Sequence, residues 1–153
     1  MRKLTVLLAL LLVAPTLPGC SAYQAYVQRQ AIQQARFNLK AVTLTGLDFA
    51  GANFEVVLEL ENPTDTPIVL DRLDYTLFVN DTRLIAGFTD QKVTVPARDL
   101  RPIRFATHVR YADVGAQLRQ VLAVGVKSYR LEGVGHFDTP FGTIDYPVRL
   151  LGQ

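Results

Sequence analysis

Apolar and polar residues alternate along most of the chain, and the period of that alternation divides it. From Phe37 the period is two. Phe37 and Leu39, then Val42 and Leu44, alternate with polar residues, and the slip at Ala41 predicts a bulge. Phe54, Val56, Leu58 and Leu60 alternate against Glu55, Val57, Glu59 and Glu61. That pattern predicts a strand with one face to a core and one to water. It stops at the breaker cluster Asn62-Pro63-Thr64-Asp65-Thr66-Pro67. Leu73, Tyr75, Leu77 and Val79 predict the next strand, and Asn80-Asp81 supplies two residues that tolerate the positive φ of a tight hairpin. The return strand runs from near Arg83 to near Gly87, and Lys92 to Val95 is a short strand closed by Pro96. Ile103, Phe105, Thr107, Val109 and Tyr111 predict a longer strand, with Arg104, His108 and Arg110 on its other side.

Residues 112–124 change to helical spacing. Val114, Leu118, Val121 and Leu122 recur on one side, and Asp113 is placed to cap. Tyr129, Leu131, Gly133, Gly135 and Phe137 return to strand period. Asp138-Thr139-Pro140-Phe141-Gly142 predicts a turn, and Ile144, Tyr146, Val148 and Leu150 a last strand. About seven strands at short spacing with one helix predict a mainly β sandwich or barrel.

The first residues read differently. Met1-Arg2-Lys3 is basic, Leu4 to Val13 is apolar, and Ala14-Pro15-Thr16-Leu17-Pro18-Gly19-Cys20 follows. A basic start, a short apolar run and small residues at its end are the parts of a secretory signal. Pro15 and Pro18 leave the apolar run short of the roughly 20 residues that span a bilayer as a helix. Leu17-Pro18-Gly19-Cys20 resembles the bacterial lipobox. The resemblance implies a diacylglyceryl group on the Cys20 sulfur, cleavage after Gly19 and acylation of the new amino group. Two or more acyl chains anchor a protein stably, where one is marginal. Ser21 stands where Asp favours inner-membrane retention in the Gram-negative sorting pattern, so the expected location is the outer membrane, facing the periplasm.

Residues 1–19 are thus expected to be a lipoprotein signal peptide, 20–35 a lipidated tether and 36–153 the β domain. The tether is rich in Gln and Ala and lacks Gly and Pro, which suits a helix reaching about 22 Å. An unstructured linker suits it as well. The whole chain has 16 basic and 14 acidic residues; without Arg2 and Lys3 the basic count is 14, and the mature charge is zero. No basic cluster points to nucleic acid.

Three stretches together resemble the late embryogenesis abundant type 2 family, also called the water stress and hypersensitive response domain. They are the strand from Phe54 to Glu61 running into Asn62-Pro63-Thr64, the pair Ile68-Val69-Leu70 and Leu73 through Asn80, and the strand Ile103 to Val109. The resemblance covers nearly all of residues 37–151. It departs at Thr64, where the motif often has a second Asn. It implies a two-sheet antiparallel β-sandwich, fibronectin III-like or immunoglobulin-like, and a non-enzymatic role in desiccation or other stress through contacts with client proteins or lipid. The residues themselves read Asn62-Pro63-Thr64 as a structural turn: Pro63 ends a ladder, and Asn62 can bond nearby amides.

Candidate chemistry is sparse. Cys20 is the only cysteine, and lipid consumes it. His108 and His136 lie in predicted strands without metal-ligand spacing, so packing or a solvated face is the expected role. Gly133-Val134-Gly135 precedes no helix, so a bulge or close backbone approach is expected instead of a phosphate loop. Asp65, Asp71 and Asp74 lack the pattern of a calcium loop and read as solvated turn residues. Asn80-Asp81-Thr82 matches a glycosylation sequon but reads more simply as the hairpin turn. No catalytic set, metal site or cofactor is expected. The alternative to stress protection is an envelope binding or assembly module, holding an apolar ligand between the sheets or docking on a complex. Phe88, Phe105, Tyr111, Phe137 and Phe141 are the candidates to line such a site.

Cys20→Ala should leave the β domain folded but mislocalised, as read by cell fractionation and circular dichroism. Failure of the domain to fold would overturn the division between anchor and module.

Overall fold

The structure, a computed structural model, describes residues 19–125 and 127–152, apart from the side chains of Gln117, Leu118 and Leu122. The expected signal peptide up to residue 18, and the two leucines expected on the apolar side of the second helix, lie outside the described residues. Helix α1 (Gly19–Gln34) leads into strands β1 (Arg36–Leu47), β2 (Gly51–Asn62), β3 (Ile68–Val79), β4 (Thr82–Thr89), β5 (Val93–Val95) and β6 (Asp99–Arg110). Helix α2 (Tyr111–Val124) follows, then β7 (Tyr129–Thr139) and β8 (Gly142–Gly152). There are therefore eight strands among the described residues, where the spacing predicted about seven.

All pairings are antiparallel, in two sheets. One has the order β1-β2-β6; the other runs β4-β3-β7-β8, with β5 beside the first residues of β3. Strand period two does what it predicted. Phe54, Val56, Leu58 and Leu60 of β2 are buried against Leu73, Leu77 and Val79 of β3, Ile103 of β6 and Leu131 and Phe137 of β7, in one core. Each large side chain so buried contributes about 1.5–3 kcal/mol.

Two of the four register shifts among the described strands reconcile sequence with pleat. In β1, Leu39 pairs with Leu58 and Ala41 with Val57, so Lys40 is the extra residue, at the slip the pattern showed. In β3, Leu70 pairs with Phe137 and Arg72 with His136, leaving Asp71 over. Ile68 and Leu70 have even positions, while Leu73, Tyr75 and Leu77 have odd ones. A flat strand would turn one set to water, and the bulge keeps both inside. The expected strand pair from Ile68 to Val79 is thus a single bent strand.

Edge strands β6 and β8 each contain a proline, Pro102 and Pro147. Their ladders are one-sided, so the missing N–H donors are tolerated there. Gly133 needs its lack of a side chain, because a Cβ there would run into the Asp74 carbonyl. Its pairing with Tyr75 is regular, so close approach and not a bulge explains this glycine.

Helix α1 is more than a tether. Ala31 and Ile32 in its last turn, and Ala35 after it, are buried in the core. Gln28 Nε2 also donates to the Pro67 carbonyl at 3.0 Å. Helix α2 is broken at Gly115 (φ 46°, ψ −120°), and among its described side chains Val114 and Val121 are buried. Asp113 does not cap it. Its carboxylate takes the Arg110 guanidinium instead, at 2.8 and 3.2 Å, because Arg110 and not Asp113 precedes the first turn.

The sheets are joined at Asn62, which is fully buried. Its Nδ2 donates to the carbonyls of Thr66 at 2.8 Å and Pro96 at 2.9 Å, with Val95 O at 3.4 Å. Its Oδ1 accepts from the Thr64 amide at 3.1 Å and the Thr64 hydroxyl at 2.8 Å. One side chain thus ties the end of β2 to the approach to β3 and the exit of β5. Asn62→Asp would place a carboxylate oxygen against those carbonyls. The expected loss of stability is about 3 kcal/mol, since buried groups forfeit their bonds and gain a repulsion. Urea unfolding measures it, and an unchanged midpoint would show that the tie contributes little.

Candidate functional site

The two ends of the sandwich differ in chemistry. At one end lie α1, the β2–β3 loop and the β7–β8 turn. Cys20 is exposed near the start of α1. Tyr26, Ala25 and Arg29 of α1 face Thr139, Phe141, Thr143 and Ile144 across a groove of about 460 Å³. The groove continues along α1 past Ile32 and Gln33 to Tyr146 and Pro147 of β8. Tyr23, Tyr26 and Phe141 remain largely in water. Asn62, Pro63 and Thr64 are at this end too, but as the buried or half-buried corner described above. Beside them Arg98, at φ 56°, forks onto Asp65 at 2.7 and 3.0 Å, which holds the Asp65 carboxyl below its ordinary range.

At the other end the β1–β2 hairpin projects. The Asp48 carboxylate accepts from the amides of Ala50 and Gly51, both at 2.7 Å, and those bonds lower its pKa. The Asp48 amide donates to Gly51 O at 3.0 Å, and the Tyr111 amide to Ala50 O at 2.9 Å. A Cβ at Gly51 would collide with the Val109 carbonyl, so glycine lets the tip close onto β6. This braced turn holds Phe49 wholly in solvent, with Leu47 and Leu44 exposed beside it. Sequence reasoning passed over this site. Its signal was a large apolar residue inside an Asp-x-x-Gly turn, where only polar or small residues are expected.

Asn80 adds a second brace at this end. It and Asp81 take positive φ (49° and 62°), as the hairpin requires. Its Oδ1 also accepts from the amides of Lys127 and Ser128, at 2.9 and 3.2 Å, and its Nδ2 donates to Gly125 O at 2.8 Å. The residue read as a turn or sequon therefore fixes the connection from α2 to β7.

The outer face of the five-stranded sheet carries an ion network. His136 on β7 has Nδ1 at 2.6 Å from Asp145 of β8 and Nε2 at 3.0 Å from Asp74 of β3. Arg72 Nε donates to the other oxygen of Asp74 at 2.6 Å and lies over the Phe88 ring at 4.1 Å. Asp71 and Asp74 therefore stand within β3, not in turns, and Asp71 takes Lys92 at 3.2 Å. His108 is on the other sheet, exposed, with Nδ1 at 2.7 Å from Asn53 Oδ1. The histidines lie on different sheets and share no site. Among the described residues, no group of three His, Cys, Asp or Glu side chains is disposed to hold a metal ion. The five aromatic candidates also disperse: Phe137 is core, Phe105 stacks on Tyr75 at 4.6 Å, Tyr111 is half-buried, and Phe88 and Phe141 are exposed at different places.

Both His136 nitrogens meet carboxylates, so the imidazolium is favoured and its pKa is raised, chiefly by Asp74 and then by Asp145. A group raised on folding stabilises the fold fully below its unfolded pKa, about 6.5, and that contribution is lost as pH rises through the folded value. The site is partly solvated, so screening keeps the effect small. The unfolding midpoint in urea should fall between pH 6 and pH 9, and His136→Gln should flatten that dependence. An equal slope in both proteins would remove His136 as the cause.

The family model described as late embryogenesis abundant protein, LEA_2, matches residues 57–152. No curated protein matches the chain. Among solved structures, a protein from Arabidopsis thaliana is similar with a TM-score of 0.61 at 18% identity, over 76% of this chain and 78% of that one. A putative late embryogenesis abundant protein is similar at 0.55 and 15%, over 87% and 83% of the two chains. A protein from Archaeoglobus fulgidus gives 0.53 and 15%, over 75% and 94%. At such identities these likenesses concern the fold.

Proposed function

The chain belongs to the late embryogenesis abundant protein family, and on that premise we propose that it is a lipid-anchored, non-enzymatic protein of the cell envelope that protects neighbouring proteins as water is lost. The lipobox-like Leu17-Pro18-Gly19-Cys20 supports the anchor. Its place is the outer membrane, with the domain in the periplasm. No described helix is long and apolar enough to cross a membrane.

The observation that carries the protective role is Phe49. A rigid hairpin holds an apolar ring and two leucines in water at the end of the domain away from Cys20. From Arg36, beside α1, the strand β1 extends about 36 Å to that tip. Apolar surface held out in this way favours contact with apolar surface exposed on a partner. A protein losing its hydration shell exposes such surface, and a folded, braced tip can cover it without itself unfolding.

The alternative, an apolar ligand between the sheets, meets a packed interior. Phe54, Leu58, Leu131 and Phe137 are fully buried where such a ligand would lie.

The test is a client enzyme dried with the protein and rehydrated. Phe49→Ser should lose most of the protection while its unfolding stability stays within about 0.5 kcal/mol, as for an exposed substitution. Equal protection by the variant, or by an inert protein of equal mass, would sink the reading.

A further inference from the structure

We infer that the α1 end of the domain beds directly on a phospholipid surface, with Tyr23, Tyr26 and Phe141 as an aromatic rim at headgroup depth and Arg29 beside lipid phosphate. This rests on the anchoring of Cys20 proposed above. The first support is distance along one helix. Tyr23 and Tyr26 follow Cys20 by three and six residues, about 4.5 and 9 Å of rise. Helices and rings that lie on membranes sit about 5–10 Å into the boundary between headgroups and acyl chains. A lipid on the Cys20 sulfur therefore keeps both tyrosines within about 10 Å of the attachment point, and a leaning α1 lays them at headgroup depth.

A second, independent element meets the same place. Phe141 comes from the β7–β8 turn, yet it lines the groove with Tyr26 and Arg29. Its turn is fixed: the Thr139 hydroxyl donates to Gly142 O at 2.5 Å and accepts from the Phe141 amide at 3.2 Å. The ring is thus presented, with 47% of its residue surface exposed, and Tyr23 reaches 69%. Single exposed apolar residues are ordinary. Two rings from two elements line one groove, and a third, Tyr23, is exposed on the same helix one turn nearer Cys20.

Charge agrees. Residues 19–34 contain no Asp or Glu, and their one charged side chain is Arg29. Thr139, Pro140, Phe141, Gly142 and Thr143 are uncharged as well. The carboxylates that flank these segments are paired, Asp65 with Arg98, Asp138 with Lys92 and Asp145 with His136, so Arg29 is the one charge the two segments themselves bring. Tyr is favoured at this depth because its ring is apolar and its hydroxyl is wet.

The chain contains no Trp, so a single introduced one reports only its own position. The lipidated protein is reconstituted with vesicles of phosphatidylethanolamine and phosphatidylglycerol brominated near the top of the acyl chains. Phe141→Trp and Tyr26→Trp should emit to the blue and be quenched roughly twofold or more, as rings at the interface are. Phe49→Trp, at the far end, should not be quenched. If the protein floats with the vesicles but Phe141→Trp and Tyr26→Trp are unquenched, the domain stands off the membrane and the inference is overturned. Quenching of Phe49→Trp instead would mean that the opposite end faces the lipid, which overturns it equally. A protein that does not float at all overturns the anchoring of Cys20, and this inference falls with it.

Discussion

The side-chain amide of Asn62 is the interaction on which the two sheets depend for their relation at one end. A sandwich has no ladder hydrogen bonds between its layers; apolar packing holds them face to face without fixing their register. Asn62 supplies that register with donors and acceptors that have nowhere else to go. It sits at the last position of β2, where the following proline forbids the ladder to continue. Its amide group then reaches carbonyls on the approach to β3 and on the exit from β5. Thr64 completes the cage by giving its hydroxyl to the remaining face of the amide oxygen. The departure from the family pattern at that position thus keeps a short polar side chain able to bond Asn62.

The strands' order in sequence and the helix between β6 and β7 were legible because alternation is a direct image of the pleat. Legibility failed where geometry overrides period. The bulge at Asp71 could be found from the switch between Leu70 and Leu73, but a flat reading splits the strand there. Asp71 and Asp74 looked like turn residues because acidic side chains next to Leu70 and Leu73 resemble loop punctuation. In the fold they are the outward rungs of β3, paired across strands with Lys92 and His136. That pairing is a property of register, which one sequence does not display. The kink at Gly115 and the docking of Ile32 are likewise tertiary: neither breaks the local helical pattern.

The candidate surfaces were legible in part. Cys20 announces itself by its place after a short apolar run. Asn62 announces a turn, while its burial and its bonds to residues more than thirty positions away belong to the folded state. Phe49 and Phe141 both sit in turns, where an apolar residue contradicts local chemistry. Each is held in position by a neighbouring side chain, Asp48 in one turn and Thr139 in the other. The molecule thus has a fixed aromatic group at each end and a charged, internally paired flank between them. On the proposed anchoring at Cys20, such polarity would orient the domain, one end toward the membrane and the other toward whatever shares the compartment.

The prolines of the outer strands bear on what happens when copies crowd. Drying concentrates every solute, and the proposed attachment to a membrane would confine copies to two dimensions, so flank-to-flank encounters would multiply. An uninterrupted outer strand would then invite the next copy to extend the sheet, and the next, until a fibre grew. Pro102 and Pro147 each remove an N–H from one edge of each sheet, whereas the opposite edges, β1 and β4, contain no proline. The β6 and β8 edges are in this way poorer templates for a second copy than the β1 and β4 edges.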